Sequence, residues 1–152
     1  MNLRTLLLPF LLATATFLGG CKKDPCKDVT CLNGGSCDDG VCACAAGYEG
    51  SNCGTETRAK FIGSYSGSFS CPGGNSTIQL TVTNSSSAAT NVVFSDGADT
   101  WIGTVSGSSV NIATQSISGG TTISGSGQLA GNILTLSLNL SGTNCTYTGT
   151  KQ

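Results

Sequence analysis

The sequence predicts an all-β chain in two parts: a small disulfide-rich module, then an antiparallel β-meander of about eight strands closed as a small barrel or a sandwich. Three observations carry that expectation. Six cysteines crowd into residues 26–53. From Phe61 onward apolar residues alternate with polar ones at period two. Clusters of Gly, Ser, Asn and Pro interrupt the alternation at short intervals, as turns do. No stretch after residue 60 has a helical period of useful length.

The composition narrows the function classes. The chain has 152 residues, seven basic and eight acidic, with net charge −1. A nucleic-acid partner is disfavoured, because it needs a basic face. Histidine is absent, which removes the commonest general base and the commonest metal ligand. Nine cysteines in so short a chain point to an oxidising compartment.

Residues 1–20 have an early charge at Arg4 and an apolar stretch from Leu6 to Leu18, interrupted by Pro9. That is short for a membrane-spanning helix and fits a cleaved secretory signal better than a buried helix or retained anchor. Leu18-Gly19-Gly20-Cys21 resembles the lipobox of bacterial lipoproteins. The resemblance implies cleavage before Cys21 and a thioether-linked diacylglycerol on it, with a further acyl chain on its amine in Gram-negative members. Several chains together anchor stably where one does not. Residues 21–25 would be the lipidated tether. Lys22, rather than Asp, follows the cysteine, which by the same resemblance favours the outer membrane. The expected localisation is therefore outer membrane, lipid-anchored, facing periplasm or cell surface. The charged run after Cys21 fits either a surface-export tether or a solvated linker.

Cys26, Cys31, Cys37, Cys42, Cys44 and Cys53 read C-x4-C-x5-C-x4-C-x-C-x8-C. With Leu32-Asn33-Gly34-Gly35-Ser36 between the second and third, and Gly47, Tyr48 and Gly50 in the last loop, residues 26–54 resemble an EGF-like module. Six cysteines alone permit 15 pairings. The resemblance selects Cys26 with Cys37, Cys31 with Cys42, and Cys44 with Cys53. A zinc site is the competing reading of closely spaced cysteines, disfavoured by the oxidising compartment. Many such modules bind calcium, but the lead-in Lys22-Lys23-Asp24-Pro25 and the short Asp38-Asp39-Gly40 fit a solvated turn instead. The O-fucose pattern at Ser36 is not carried over to a bacterial chain.

Residues 55–60 are polar and mixed in charge, as in a linker. Residues 61–152 form the expected β-domain. Phe61, Tyr65, Phe69 and Cys71 share a face; Ile78, Leu80 and Val82 follow, then Val92 and Phe94, Trp101 and Val105, Val110 and Ile112. Leu134, Leu136, Leu138 and Leu140 make the clearest strand, and Cys145 and Tyr147 lie in the last. Turns are expected at residues 71–75, 84–87, 95–97 and 106–108, with a tight hairpin at Gly131-Asn132. Cys71 and Cys145 are left over and pair with each other; with Cys21 lipidated, all nine cysteines are then used.

Candidate chemistry is sparse. After residue 60 the charged groups are Asp96, Asp99 and Lys151. Asp96 and Asp99 are either a carboxylate pair, as in a glycosidase or calcium site, or ordinary turn residues, and the turn is the better reading. Trp101 is either core or the wall of a ligand pocket. No His or Lys lies near the serines to activate a nucleophile. The opening Gly63-Ser64-Tyr65-Ser66-Gly67 and the meander loosely resemble small lipocalin-like barrels of bacterial lipoproteins, which implies an apolar ligand pocket. The expectation is thus a non-enzymatic, membrane-anchored extracellular protein with no catalytic residue, metal or cofactor, whose module and β-domain bind a protein, glycan or small apolar ligand. A small apolar-ligand carrier is the alternative, and a glycan-acting enzyme using Asp96 and Asp99 the third reading.

Overall fold

The computed structural model describes residues 23–152. The expected signal segment and Cys21 lie outside the described residues. In the module, β1 (Ser36–Asp38) and β2 (Val41–Ala43) form a hairpin across Asp39-Gly40, both with positive φ, of 47° and 86°. β3 (Tyr48–Glu49) pairs with β4 (Thr55–Glu56). Disulfides join Cys26–Cys37, Cys31–Cys42 and Cys44–Cys53, the pairs that the EGF-like resemblance implies. Cys53 is the one fully buried residue between positions 23 and 54. So small a core cannot offset chain entropy, and the three bridges restrict the unfolded module instead.

The β-domain is a closed eight-stranded antiparallel barrel, which decides between barrel and sandwich. Its strands are β5 (Gly63–Cys71), β6 (Gly74–Asn84), β7 (Asn91–Ser95), β8 (Thr100–Ser106), β9 (Ser109–Ser116), β10 (Thr122–Ala130), β11 (Ile133–Leu140) and β12 (Thr143–Lys151). Each pairs with the next, and β12 pairs with β5 to close the ring. The turns fall where the sequence places them, including Gly131-Asn132 between β10 and β11. Alternation puts Tyr65, Leu80, Val82, Val92, Phe94, Trp101, Val105, Val110, Ile112, Leu134, Leu136, Leu138 and Tyr147 inside.

β10 escapes recognition as a strand in the sequence because it lacks a clear apolar alternation. Glycine stands at an inward position: a Cβ on Gly127 would meet the Leu136 side chain and, at 3.2 Å, that of Val110. Large leucines from β11 occupy the space that glycine leaves. The same trade occurs at Gly103 on β8, where a Cβ would lie 2.7 Å from Phe94 and 2.6 Å from Val110.

The closure seam runs from Tyr65 opposite Lys151 to Ser70 opposite Thr146. One residue further, Cys71 and Cys145 face each other with Cα atoms 4.4 Å apart, and their disulfide crosses the seam. That spacing is what a non-hydrogen-bonded antiparallel pair has, so the bridge joins neighbours the sheet has already aligned.

The opposite end of the barrel is plugged. Residues 55–60, expected as a linker, carry regular structure: after β4, the 3₁₀ segment Thr57–Phe61 turns under the barrel. Phe61 is fully buried and caps the core. Arg58 is also buried, and its Nη1 donates to the carbonyls of Ser85 at 2.6 Å, Ala88 at 2.8 Å and Asn91 at 2.8 Å, tying down the loop between β6 and β7. Its other nitrogens hold Glu56, whose carboxyl that hydrogen bonding keeps below the usual range. A buried guanidinium with this many partners is satisfied, which explains a charge inside an otherwise polar-looking segment. Lys60 pairs with Glu49 at 3.1 Å, and the Thr57 amide donates to the Gly47 carbonyl at 2.9 Å, so the module sits on this plugged end.

Two outcomes follow for stability. Replacing Cys71 and Cys145 together by Ser should lower the unfolding free energy by up to about 4 kcal/mol, since the bridge spans 74 residues, with denaturant unfolding as the measurement. Arg58→Met should cost about 2 kcal/mol, because the Ser85 carbonyl loses its partner in a buried place. A change under about 0.5 kcal/mol would show that the plug is dispensable.

Candidate ligand cavity

The plug fills one end of the barrel. The other end, which carries the β5–β6, β7–β8, β9–β10 and β11–β12 turns, is hollow. A cavity of about 290 Å³ lies there, walled by Phe69, Ile78, Leu80, Trp101, Ile117, Ile123, Leu136, Leu138, Leu140 and Tyr147. Since a water occupies about 30 Å³ of the liquid, this is room for a ligand the size of roughly ten waters. It lies near the lower limit of ordinary small-molecule sites and shares their mostly apolar lining.

The hollow arises from how the strands end. Phe69, Ile78, Ile117 and Leu140 continue the inward alternation to the turns, but they are only partly buried, and among the described residues no element crosses this end as Thr57–Phe61 crosses the other. The 3₁₀ turn Ser118–Gly120 between β9 and β10 lies at the rim.

Three polar side chains join the wall at this end: Asp96, Asp99 and Thr121. Asp96 Oδ1 accepts from the amides of Ala98 at 3.0 Å and Asp99 at 2.8 Å, which shapes the β7–β8 turn. Asp99 Oδ1 accepts from the Ser118 amide at 2.8 Å and ties that turn to the β9–β10 loop. Ser118, by hydroxyl and by amide, holds the Asp99 carboxyl below its usual range. A general acid at neutral pH requires the opposite displacement. The two aspartates are thus brought together at the mouth as turn acceptors, the reading preferred from the sequence.

Trp101 meets both of its sequence expectations. Its ring stacks on Phe94, with centroids 5.9 Å apart and planes 15° from parallel, and it also lines the cavity. It is 95% buried, and its Nε1 is the one buried side-chain nitrogen or oxygen without a hydrogen-bond partner among the described residues. Buried tryptophan N–H groups ordinarily find an acceptor. The Tyr147 hydroxyl is already engaged, donating to the Tyr65 carbonyl at 3.0 Å, while Tyr65 donates to the Phe61 carbonyl at 2.8 Å. Burial pushes both phenols up and keeps them as donors.

The cysteines add no chemistry of their own here. Those at positions 26–145 are all in disulfides, which leaves no thiolate among the described residues to bind zinc. No group of three or more His, Cys, Asp or Glu side chains converges among the described residues. The sequence singles out Trp101 as a pocket wall or core residue and Asp96 and Asp99 as a carboxylate pair or turn residues, but not Ile117, Thr121 or Leu140 as cavity residues. The extension of the alternation into the turns was the available signal. No family model matches the chain, and no solved structure does.

The Asp99 tie has a defined pH dependence. A carboxyl held below its usual value of 3.8 contributes above that value, and its contribution is lost as pH falls through the lowered one. The Ser118 amide resonance should therefore titrate with a midpoint below 3.8. A midpoint at or above that figure would contradict the tie.

Proposed function

We propose that this chain is a non-enzymatic, lipid-anchored protein of the bacterial exterior that holds a small, mainly apolar ligand in its barrel. One observation carries the reading: an eight-stranded barrel plugged at one end and hollow at the other, its hollow walled by aliphatic and aromatic side chains. A domain with no ligand to hold gains dispersion and hydrophobic energy by filling such a space.

The anchor is supported by the lipobox-like Leu18-Gly19-Gly20-Cys21 and by the pairing of all eight later cysteines, which leaves Cys21 as the remaining thiol. The EGF-like module then serves as a rigid spacer. It sits against the plugged end through Glu49–Lys60 and Gly47–Thr57, so the mouth opens on the side away from the tether. A ligand would reach it from the aqueous phase rather than from the membrane holding the protein.

The test uses the mature protein and N-phenylnaphthylamine, an uncharged apolar dye that brightens out of water. Saturable binding near one dye per chain is expected, with energy transfer from Trp101, the single tryptophan. Ile117→Phe combined with Leu140→Phe narrows the mouth and should weaken binding about tenfold while the unfolding midpoint stays near that of the parent. Dye binding unaffected by these changes would place the dye elsewhere and refute the carrier. Mass spectrometry of the mature N-terminus checks the anchor, and an unlipidated Cys21 would refute it.

A further inference from the structure

The shape of the cavity bears on what it accepts, and its depth can be read from its wall. Phe69, Ile78, Ile117 and Leu140 around the mouth are partly buried. Behind them Trp101 and Leu138 are each 5% exposed, whereas Leu80 and Leu136 are 1% and 0% exposed. The hollow thus reaches down to Trp101 and Leu138, and the layer below is closed. Trp101 offers carbon surface to this floor, because its Nε1 is itself sealed.

The floor is shallow. Leu138 and Leu140 lie two residues apart on β11, a rise of about 7 Å, which strand tilt in an eight-stranded barrel reduces to about 5 Å along the axis. The mouth is wide by comparison. Its four apolar side chains come from β5, β6, β11 and the β9–β10 loop, on opposite sides of the closed ring. A volume of about 290 Å³ over a depth of about 5 Å leaves a hollow about 8 Å across.

Such a shape suits some apolar bodies and not others. An extended alkyl chain places only its first few carbons in so shallow a cup, and the rest stays in water. A rigid polycyclic body buries its whole lower face and loses no internal rotation on binding. An apolar cavity of about 150 Å³ takes one benzene, so about 290 Å³ takes two fused rings or a cage of about ten carbons.

Resting on the reading of the cavity as a ligand site, we propose that it is a shallow cup for one compact polycyclic hydrophobe of about ten carbons, seated on Trp101 and Leu138, and that extended alkyl chains are poor ligands. The naphthyl ring of N-phenylnaphthylamine has this size.

Two neutral alcohols with equal carbon counts test this by calorimetry on the mature protein: 1-adamantanol, a rigid cage, and 1-decanol, a chain. Adamantanol should bind about tenfold tighter, although decanol has the larger apolar surface. From hexanol to decanol each added methylene should raise affinity by less than about twofold, against about fourfold for a fully buried methylene. Methyl resonances of Ile78, Leu138 and Leu140 should shift with adamantanol, and those of Val82 and Leu134, below the floor, should not. Leu138→Phe raises the floor and should weaken adamantanol binding about tenfold, with thermal unfolding confirming the fold. If that variant does not fold, the methyl shifts of the parent decide.

Tighter binding of decanol, or a gain of about fourfold per methylene, would overturn the shallow cup and leave the ligand cavity standing. Shifts at Val82 or Leu134, or unchanged binding in a folded Leu138→Phe, would overturn it as well. So would dye binding with neither alcohol bound. Failure of the dye and both alcohols to bind would overturn the cavity reading itself.

Discussion

The pairing of β12 with β5 is the contact on which the rest of the domain depends. Without it the eight strands are an open, strongly twisted sheet with two exposed edges and an apolar face in water. With it, the same inward residues enclose an interior from all sides. The partners are far apart in sequence, so loop-closure entropy opposes the seam, and the Cys71–Cys145 bridge removes much of that entropy from the unfolded chain. The bridge is placed at the hollow end of the barrel, where no plug among the described residues braces the strands.

Closure makes the two ends of the barrel unequal rather than equivalent. At one end Phe61 and Tyr65 fill the interior, and Arg58 gathers three carbonyls that would otherwise face a gap. At the other, the turns are short and polar, and Asp96 and Asp99 secure them with backbone hydrogen bonds rather than with bulk. The cavity is the volume between the Trp101 layer and those turns. Polar packing and open volume are therefore divided along the barrel axis: the plugged end carries the buried Arg58 network, and the other end carries the apolar walls of the cavity.

Glycine contributes to the same division. Gly103 and Gly127 occupy inward positions where a Cβ would collide with Phe94, Val110 or Leu136. The large neighbours occupy that space, so the layer beneath the cavity is close-packed despite a chain with few aromatics. The cost in the sequence is legibility, because a glycine in an alternating strand has no hydropathic signal.

The all-β character, the turns and most inward residues are determined by local sequence, because period-two alternation and turn residues act within a few positions. The run Leu134 to Leu140 has one face that water rejects, whatever lies across from it. The cysteine spacing likewise carries the module's pattern, and the leftover pair Cys71 and Cys145 follows by count. Other properties exist only once distant segments meet. The polar stretch containing Arg58 reads as a linker until the Ser85–Asn91 carbonyls surround it. β10 becomes a strand because β9 and β11 offer edges on both sides. Whether Trp101 is core or wall is set only by the closed ring, in which it stacks on Phe94 and also lines the cavity. A hollow is a property of the closed ring, and no local pattern of residues encodes it.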